Sequence, residues 1–289
     1  MDRRSFNHCL AFLLAGGSAA CAQQPTAPAA AARWQQIEAG SGGRLGVAVL
    51  DTGSGQLHGH RLDERFPMCS TFKWLAAAVV LQRVDAGQEQ LDRRLRYGRD
   101  VLLPHSPVTE KHLADGMTLA QLCEATITTS DNAAANLILD SYGGPPAVTR
   151  FARALGDPAT RLDRREPELN DVPPGDVRDT TTPRAMAGAL RAALFGPTLS
   201  AASRARLAAW LEATETNRQR LRADLPAGWR MGSKTGSGPR GTTNDVGVFW
   251  PPGGRAPIVV AAYLTDTTAP DAARNGAIAQ VARAVTRAN

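Results

Sequence analysis

No apolar run in this sequence is long enough for a helix that crosses a bilayer; the longest, Cys9 to Ala20, falls short of the roughly 20 residues required. An integral membrane protein or an anchored receptor is therefore not expected. Aromatic residues are also scarce, at 5% of 289. The arginines are spread along the chain rather than clustered, so a nucleic-acid groove with stacking platforms is not expected either. Cysteines number four, and Cys9 and Cys21 fall in an N-terminal segment that reads as a removable leader. This leaves Cys69 and Cys123, with nothing to bring them within the 7 Å or so a disulfide needs, so two free, buried thiols are expected. There is no internal repeat.

The leader, MDRRSFNHCLAFLLAGGSAACAQ, places Arg3 and Arg4 before its short apolar stretch, as export signals do. Arg-Arg-Ser-Phe fits both a twin-arginine signal and an ordinary one. Cleavage after Ala20-Cys21-Ala22 gives a signal of residues 1–22 and a periplasmic protein, with lipid anchoring at Cys21 the lesser alternative. Removing Asp2, Arg3 and Arg4 from 27 acidic and 33 basic residues leaves a net charge of +5, which serves solubility. The Pro/Ala-rich run from Gln23 to Ala32 reads as a tether, followed by a short helix around Trp34 to Ala39.

With 43% hydrophobic residues over its 289 positions the chain can bury one large core or two smaller ones. Alternation of Leu45, Val47 and Val49 and the turn Gly53-Ser54-Gly55 predict a hairpin. Helical signals dominate from Thr71 to Asn217, with Gly87, Gly143 and Gly196 as stops and Thr182-Pro183 as a capped start. Strand-like runs return at Trp229 to Ser237, Asn244 to Trp250 and Pro257 to Thr265, before a helix from about Pro270 to Arg287. The expected fold is therefore α/β (α+β): an antiparallel five-stranded sheet built from both chain ends, residues 23–68 and 213–289, flanked by helices. An all-α domain over 69–212 would complete it, with a ligand groove between the two.

Ser70 and Lys73 lie three positions apart at the start of an apolar helix, so they share a face near the helix N-terminus. A serine needs a proton acceptor to attack a carbonyl, and a desolvated lysine can serve. A lone Ser-x-x-Lys is common. Here it is followed by Ser130-Asp131-Asn132, between two predicted helices, and by Lys234-Thr235-Gly236 on a predicted strand.

This set resembles the serine β-lactamases and penicillin-binding proteins, and within them the class A β-lactamases. The resemblance extends from Arg44 to the C-terminal helix. It implies Ser70 as nucleophile, Ser130 as the proton donor to the departing nitrogen, and Asn132 as a contact for the substrate's side-chain amide and for Lys73. Lys234, Thr235 and Ser237, with Arg220 as a second cation, would receive the substrate carboxylate, and Gly236 would leave room along the strand edge. The backbone N–H groups of Ser70 and Ser237 would form the oxyanion hole. Within Glu166-Pro167-Glu168-Leu169-Asn170, Glu166 and Asn170 are i and i+4 and would grip the water that hydrolyses the acyl-enzyme; the Glu166-Pro167 bond is a candidate for cis. Lys73 and Glu166 both remain candidates for the acylation base. Arg164 and Asp179 resemble the ion pair that closes an omega-like loop, here 161–179, and His105 matches an aromatic gatekeeper.

Departures from the family also stand out. Cys69 faces only Gly238, so one disulfide known among members is absent, and Cys123 would meet Ala77 rather than a cysteine. The resemblance implies hydrolysis of the β-lactam amide of penicillins and cephalosporins, antibiotic resistance, reaction with inhibitors such as clavulanate, and a monomer without a cofactor, nucleic-acid partner or stable membrane partner. A D,D-peptidase, a β-lactam sensor and a serine glutaminase share parts of this pattern, but the Glu166 segment argues against each. His58-Gly-His60 with Asp63 superficially resembles a zinc site, yet no further ligands follow at useful spacing, so no metal is expected.

Overall fold

The computed structural model describes residues 27–288. The leader, with Arg3, Arg4, Cys9, Cys21 and the expected cleavage site, lies outside the described residues. In chain order the elements are α1 (Ala27–Ser41), β1 (Arg44–Asp51), β2 (Leu57–His60), β3 (Phe66–Pro67), α2 (Lys73–Asp85), β4 (Arg94–Leu95) and β5 (Met117–Thr118). They continue with α3 (Leu119–Thr128), α4 (Asn132–Asp140), α5 (Pro145–Ala154), β6 (Thr180–Thr181), α6 (Pro183–Phe195) and α7 (Ala201–Glu212). The chain closes with β7 (Arg230–Gly238), β8 (Thr242–Trp250), β9 (Ile258–Thr265) and α8 (Asp271–Ala288).

The main sheet is antiparallel with strand order β2-β1-β9-β8-β7, so the N-terminal hairpin pairs with the last strand, as anticipated. The three inner strands, β1, β9 and β8, alternate between two cores. In β9, Ile258, Val260, Ala262 and Leu264 pack with Trp34 and Ile37 of α1 and Ile278, Val281 and Val285 of α8. Val259, Ala261 and Tyr263 face the opposite way, onto the helical half of the molecule. Burial on both faces explains why β9 reads IVVAAYLT with no polar alternation.

At the centre of the helical half lies α2, whose residues Lys73 to Leu81 are all buried. Its apolar character all round marks a core helix, and its three consecutive alanines let neighbours approach closely. Asp131 caps α4 by accepting from Ala134 N–H at 2.8 Å, and Thr182 caps α6 ahead of Pro183. The two-residue ladders β3/β6 and β4/β5 add short strands to a span expected to be wholly helical; β6, inside that span, is tied to β3 just before the nucleophile's turn.

One boundary differs from expectation. The Pro/Ala run read as a tether joins a helix, since α1 begins at Ala27 and not near Trp34. Alanine has the highest helix propensity, and Trp34 and Ile37 fix the helix on the sheet. Glu38 secures it further, accepting from Leu45 N–H at 2.8 Å, Arg61 Nε at 2.7 Å and His60 Nε2 at 3.1 Å. His60, half of the zinc-like pair, is thus engaged with α1.

Candidate active site

Ser70 sits in a single 3-10 turn, Cys69–Phe72, that leads directly into α2. Cys69 before it has φ of 44°, an uncommon left-handed conformation that aims the serine out of the turn. The turn is held from both sides. Met68 N–H donates to Asp179 O at 3.0 Å, and Asn244 Nδ2 donates to Pro67 O at 2.8 Å.

Lys73 is the first residue of α2 and is completely buried. Its ammonium donates to Ser130 O at 2.8 Å, Asn132 Oδ1 at 2.5 Å and Ser130 Oγ at 3.4 Å, and lies 3.0 Å from Glu166 Oε1. Burial pulls its pKa below the usual lysine value, while the Glu166 carboxylate opposes that shift. The Ser70 hydroxyl donates to the same Glu166 Oε1 at 3.3 Å. Nucleophile and lysine therefore meet on one carboxylate oxygen, an arrangement that the i, i+3 argument did not foresee.

Glu166 is held in turn by neighbours the sequence did not single out. Asn136, one turn after Asn132 on α4, clamps its backbone: Nδ2 donates to Glu166 O at 2.9 Å and Oδ1 accepts from Glu166 N–H at 3.1 Å. The Glu166-Pro167 peptide is cis, and a 3-10 turn, Glu168–Asn170, replaces the expected helical turn. It still brings Asn170 Nδ2 to Glu166 Oε2 at 2.6 Å. Asn170 Oδ1 is buried and accepts from no described donor. Arg164 Nε donates to Asp179 Oδ2 at 2.6 Å, and the other carboxylate oxygen accepts from Asp163 and Arg164 N–H at 2.7 and 2.9 Å. The expected closing pair thus exists, and its acid also caps the backbone.

Ser130 has φ of 64° and stands between two ammonium groups, since Lys234 Nζ donates to its Oγ at 3.0 Å. Asp131, between the two motif residues that face the site, is spent on structure: its carboxylate accepts from the N–H groups of Val108 and Thr109, each at 2.9 Å, besides capping α4. Asn132 Nδ2 donates to Pro104 O at 2.8 Å. His105, also with positive φ, is exposed beside this loop, its Nε2 bonded to Thr129 O at 2.8 Å.

On β7, the edge strand, Lys234 is fully buried, and burial together with the charge of Lys73 lowers its pKa well below the usual value. Thr235 Oγ1 is 2.6 Å from Thr216 Oγ1. Arg220 reaches over the strand, donating to Gly236 O and Asn244 O at 2.9 Å and to Ser237 Oγ at 2.7 Å. Gly236 serves a different approach from the one expected of it. A Cβ there would lie 2.7 Å from Met68 O and 3.2 Å from Thr71 N, so its lack of a side chain lets β7 close on the nucleophile's turn. At Gly238 a Cβ would lie 2.6 Å from Cys69 Sγ. Cys69 and Cys123 are free and buried, as expected, with burial pushing the Cys69 thiol up to about 12.

Fold and constellation together define a serine-nucleophile acyl-transfer enzyme: a hydroxyl on a strained turn, a buried lysine–glutamate pair, and a cationic strand edge beside them. A family model described as "Beta-lactamase enzyme family" matches residues 29–288, and the chain belongs to that family. It is 48% identical over 273 residues to β-lactamase L2 of Stenotrophomonas maltophilia, covering 94% of this chain and 90% of that protein. With the carbapenem-hydrolysing β-lactamase KPC of Klebsiella oxytoca the identity is 45%, over 95% of this chain and 92% of the relative. Among solved structures, the ancestral class A β-lactamase GNCA superposes with a TM-score of 0.88 at 60% identity, covering 90% of this chain and 99% of its own. The fold is that of the class A β-lactamases.

Proposed function

We propose that this protein hydrolyses the β-lactam amide of penicillins and cephalosporins through an acyl-enzyme on Ser70, and so confers resistance to these antibiotics. The observation that carries the reading is Glu166 Oε1 in contact with both Ser70 Oγ, at 3.3 Å, and Lys73 Nζ, at 3.0 Å.

In acylation, Ser70 Oγ attacks the lactam carbonyl as its proton passes to Glu166, the acceptor it touches. The N–H groups of Ser70 and Ser237 hold the oxyanion, each worth about 3 kcal/mol in such sites. Ser130 then protonates the lactam nitrogen as the C–N bond breaks, and Lys73, bonded to both Glu166 and Ser130, returns the proton to Ser130. Lys234, Thr235, Ser237 and Arg220 bind the carboxylate of the substrate, and Asn132 and His105 flank its side chain. In deacylation, Glu166 and the unpartnered Asn170 Oδ1 orient a water; Glu166 takes its proton as it attacks the ester, and Ser70 leaves with a proton restored. A peptidase or a sensor lacks this second base, and its acyl-enzyme persists.

Export to the periplasm by the leader of residues 1–22, a monomeric state, and a two-part organisation divided near residues 68 and 212 complete the reading. Susceptibility to mechanism-based inhibitors such as clavulanate follows from the same acyl-enzyme. Among the described residues no helix is long and apolar enough to cross a membrane.

Time-resolved intact-mass spectrometry with benzylpenicillin tests the proposal. The wild type should show a transient adduct and release penicilloate, and Ser70→Ala should show neither. An adduct that persists in the wild type would overturn hydrolysis in favour of a sensor or peptidase.

A further inference from the structure

Three cations converge on the site, but only one is neutralised by contact. Lys73 has Glu166 at 3.0 Å. Lys234 donates to Ser130 Oγ and Thr235 O, and Arg220 to Gly236 O, Asn244 O, Ser237 Oγ and Asn275 Oδ1, all of them neutral acceptors. Asp245 is the buried acid near both. It lies on β8 opposite Thr235, its residue is fully buried, its Oδ2 accepts from Leu221 N–H at 3.0 Å, and its Oδ1 accepts from no described group. A carboxylate enclosed in protein is costly unless cations stand close by, and here the cations available are Arg220 and Lys234.

We propose that Asp245 is a positioning residue, a counter-ion held at a distance, that keeps Lys234 protonated beside Arg220 while leaving the one uncommitted donor of each to the substrate carboxylate. This rests on the proposed β-lactamase function. A contact ion pair would consume those donors; a carboxylate on the far face of the sheet supplies the charge without competing for them. The surrounding electrostatics agree in direction. Burial, Lys73 and Arg220 push the Lys234 ammonium toward neutrality, whereas Asp245 and Glu166 resist. Arg220 is likewise opposed by burial and by Arg274 and supported by Asp245 and Asp271. Burial raises the Asp245 carboxyl, while Ser233, Arg220, the Leu221 N–H and Lys234 hold it down.

Asp245→Asn keeps the shape and the acceptor for Leu221 N–H but removes the charge. The chain offers an unusually clean reporter, because its only lysines are Lys73, Lys111 and Lys234, and Lys111 is exposed. In protein labelled with 13C at lysine Cε, the Lys234 titration midpoint should fall by about one unit or more in Asp245→Asn, roughly a tenfold change in proton affinity. Lys111 should not move. In turnover, the alkaline fall of kcat/KM for benzylpenicillin should begin at lower pH through a KM raised about tenfold, with kcat nearly unchanged. The methyl ester of the same penicillin, which offers no carboxylate, should be hydrolysed alike by both proteins. An unmoved Lys234 titration, or an equal loss on the ester, would overturn the proposal. A wild type inert toward penicillin would instead remove the proposed function, and the lysine titration would still decide the role of Asp245.

Discussion

The Lys73 ammonium lies 3.0 Å from Glu166 Oε1 with both side chains fully shielded from solvent, so the charge of the lysine depends on the carboxylate beside it. Glu166 is what opposes the loss of the lysine's proton to burial. Replacing it should therefore do more than delete a base.

In Glu166→Ala, Lys73 should become neutral and take over as proton acceptor for Ser70. Acylation is expected to continue while deacylation slows by at least about 100-fold, the lower range for loss of a general base. Intact-mass spectra after mixing with benzylpenicillin should show a lasting adduct; steady-state hydrolysis at the wild-type rate would refute the role of Glu166.

Covalent labelling by clavulanate should vanish in Ser70→Ala, because Ser130 already sits between two ammonium groups as a proton conduit. Peptide mapping checks this, and a label found on another serine would reject the assignment of the nucleophile.

Adding a methyl group at Gly236 should cost about 1–3 kcal/mol, since the new Cβ would press on Met68 O at 2.7 Å and either the strand or the turn must yield. Gly236→Ala is expected to melt at a lower temperature and to acylate more slowly, as β7 is pushed from the nucleophile. Melting and acylation rate at the wild-type values would show that the turn accommodates the methyl.

Loss of Asp179 should be worse than loss of its partner. Asp179→Ala leaves two backbone N–H groups and Arg164 Nε without their acceptor, at a cost of about 1–3 kcal/mol for each donor left unpaired, whereas Arg164→Ala leaves those N–H bonds in place. Urea unfolding of the two variants ranks them directly.

Stability toward acid should depend on Glu38. Burial alone would raise its carboxyl, but bonds from Arg61, Leu45 N–H and His60 outweigh that and lower it from 4.5 to about 2. A depressed acid stabilises the fold above its unfolded pKa, and that contribution fades as pH falls from about 4.5 toward 2. Glu38→Gln should melt below the wild type at pH 7, with the gap closing by pH 2.

Much of this site could be read in advance because its parts are short, chemically distinctive and fixed in register by local structure: Ser70 and Lys73 on adjoining turns, Ser130 and Asn132 at a helix junction, Lys234 and Thr235 on a strand. The sheet was legible through the apolar alternation of β1 and the continuous apolar run of β9. What escaped depends on contacts between distant segments. Nothing local marks Asn136 as the clamp on Glu166, Asp131 as a scaffold for Val108 and Thr109, or Glu38 as the anchor of α1. Gly236 stands out in the sequence, but only the fold shows that the backbone it admits is that of Met68. The start of α1 is hidden in the sequence because a Pro/Ala run has the composition of a linker until a sheet face is there to receive it.

Pairing of β1 with β9 has a consequence for the order in which the molecule can be made. The hairpin emerges from the ribosome before every other strand yet finds its neighbour only when residue 265 is available, and β7, with Lys234 and Ser237, joins the sheet only through β8 and β9. Such long-range closure is slow, because the chain between the paired ends must be ordered before the contact repays it. The nucleophile's turn, Ser130 and Glu166 are therefore all made before the strand that will face them, and the cationic wall arrives with the last quarter of the chain. Synthesis itself withholds a working site until β9 has been made.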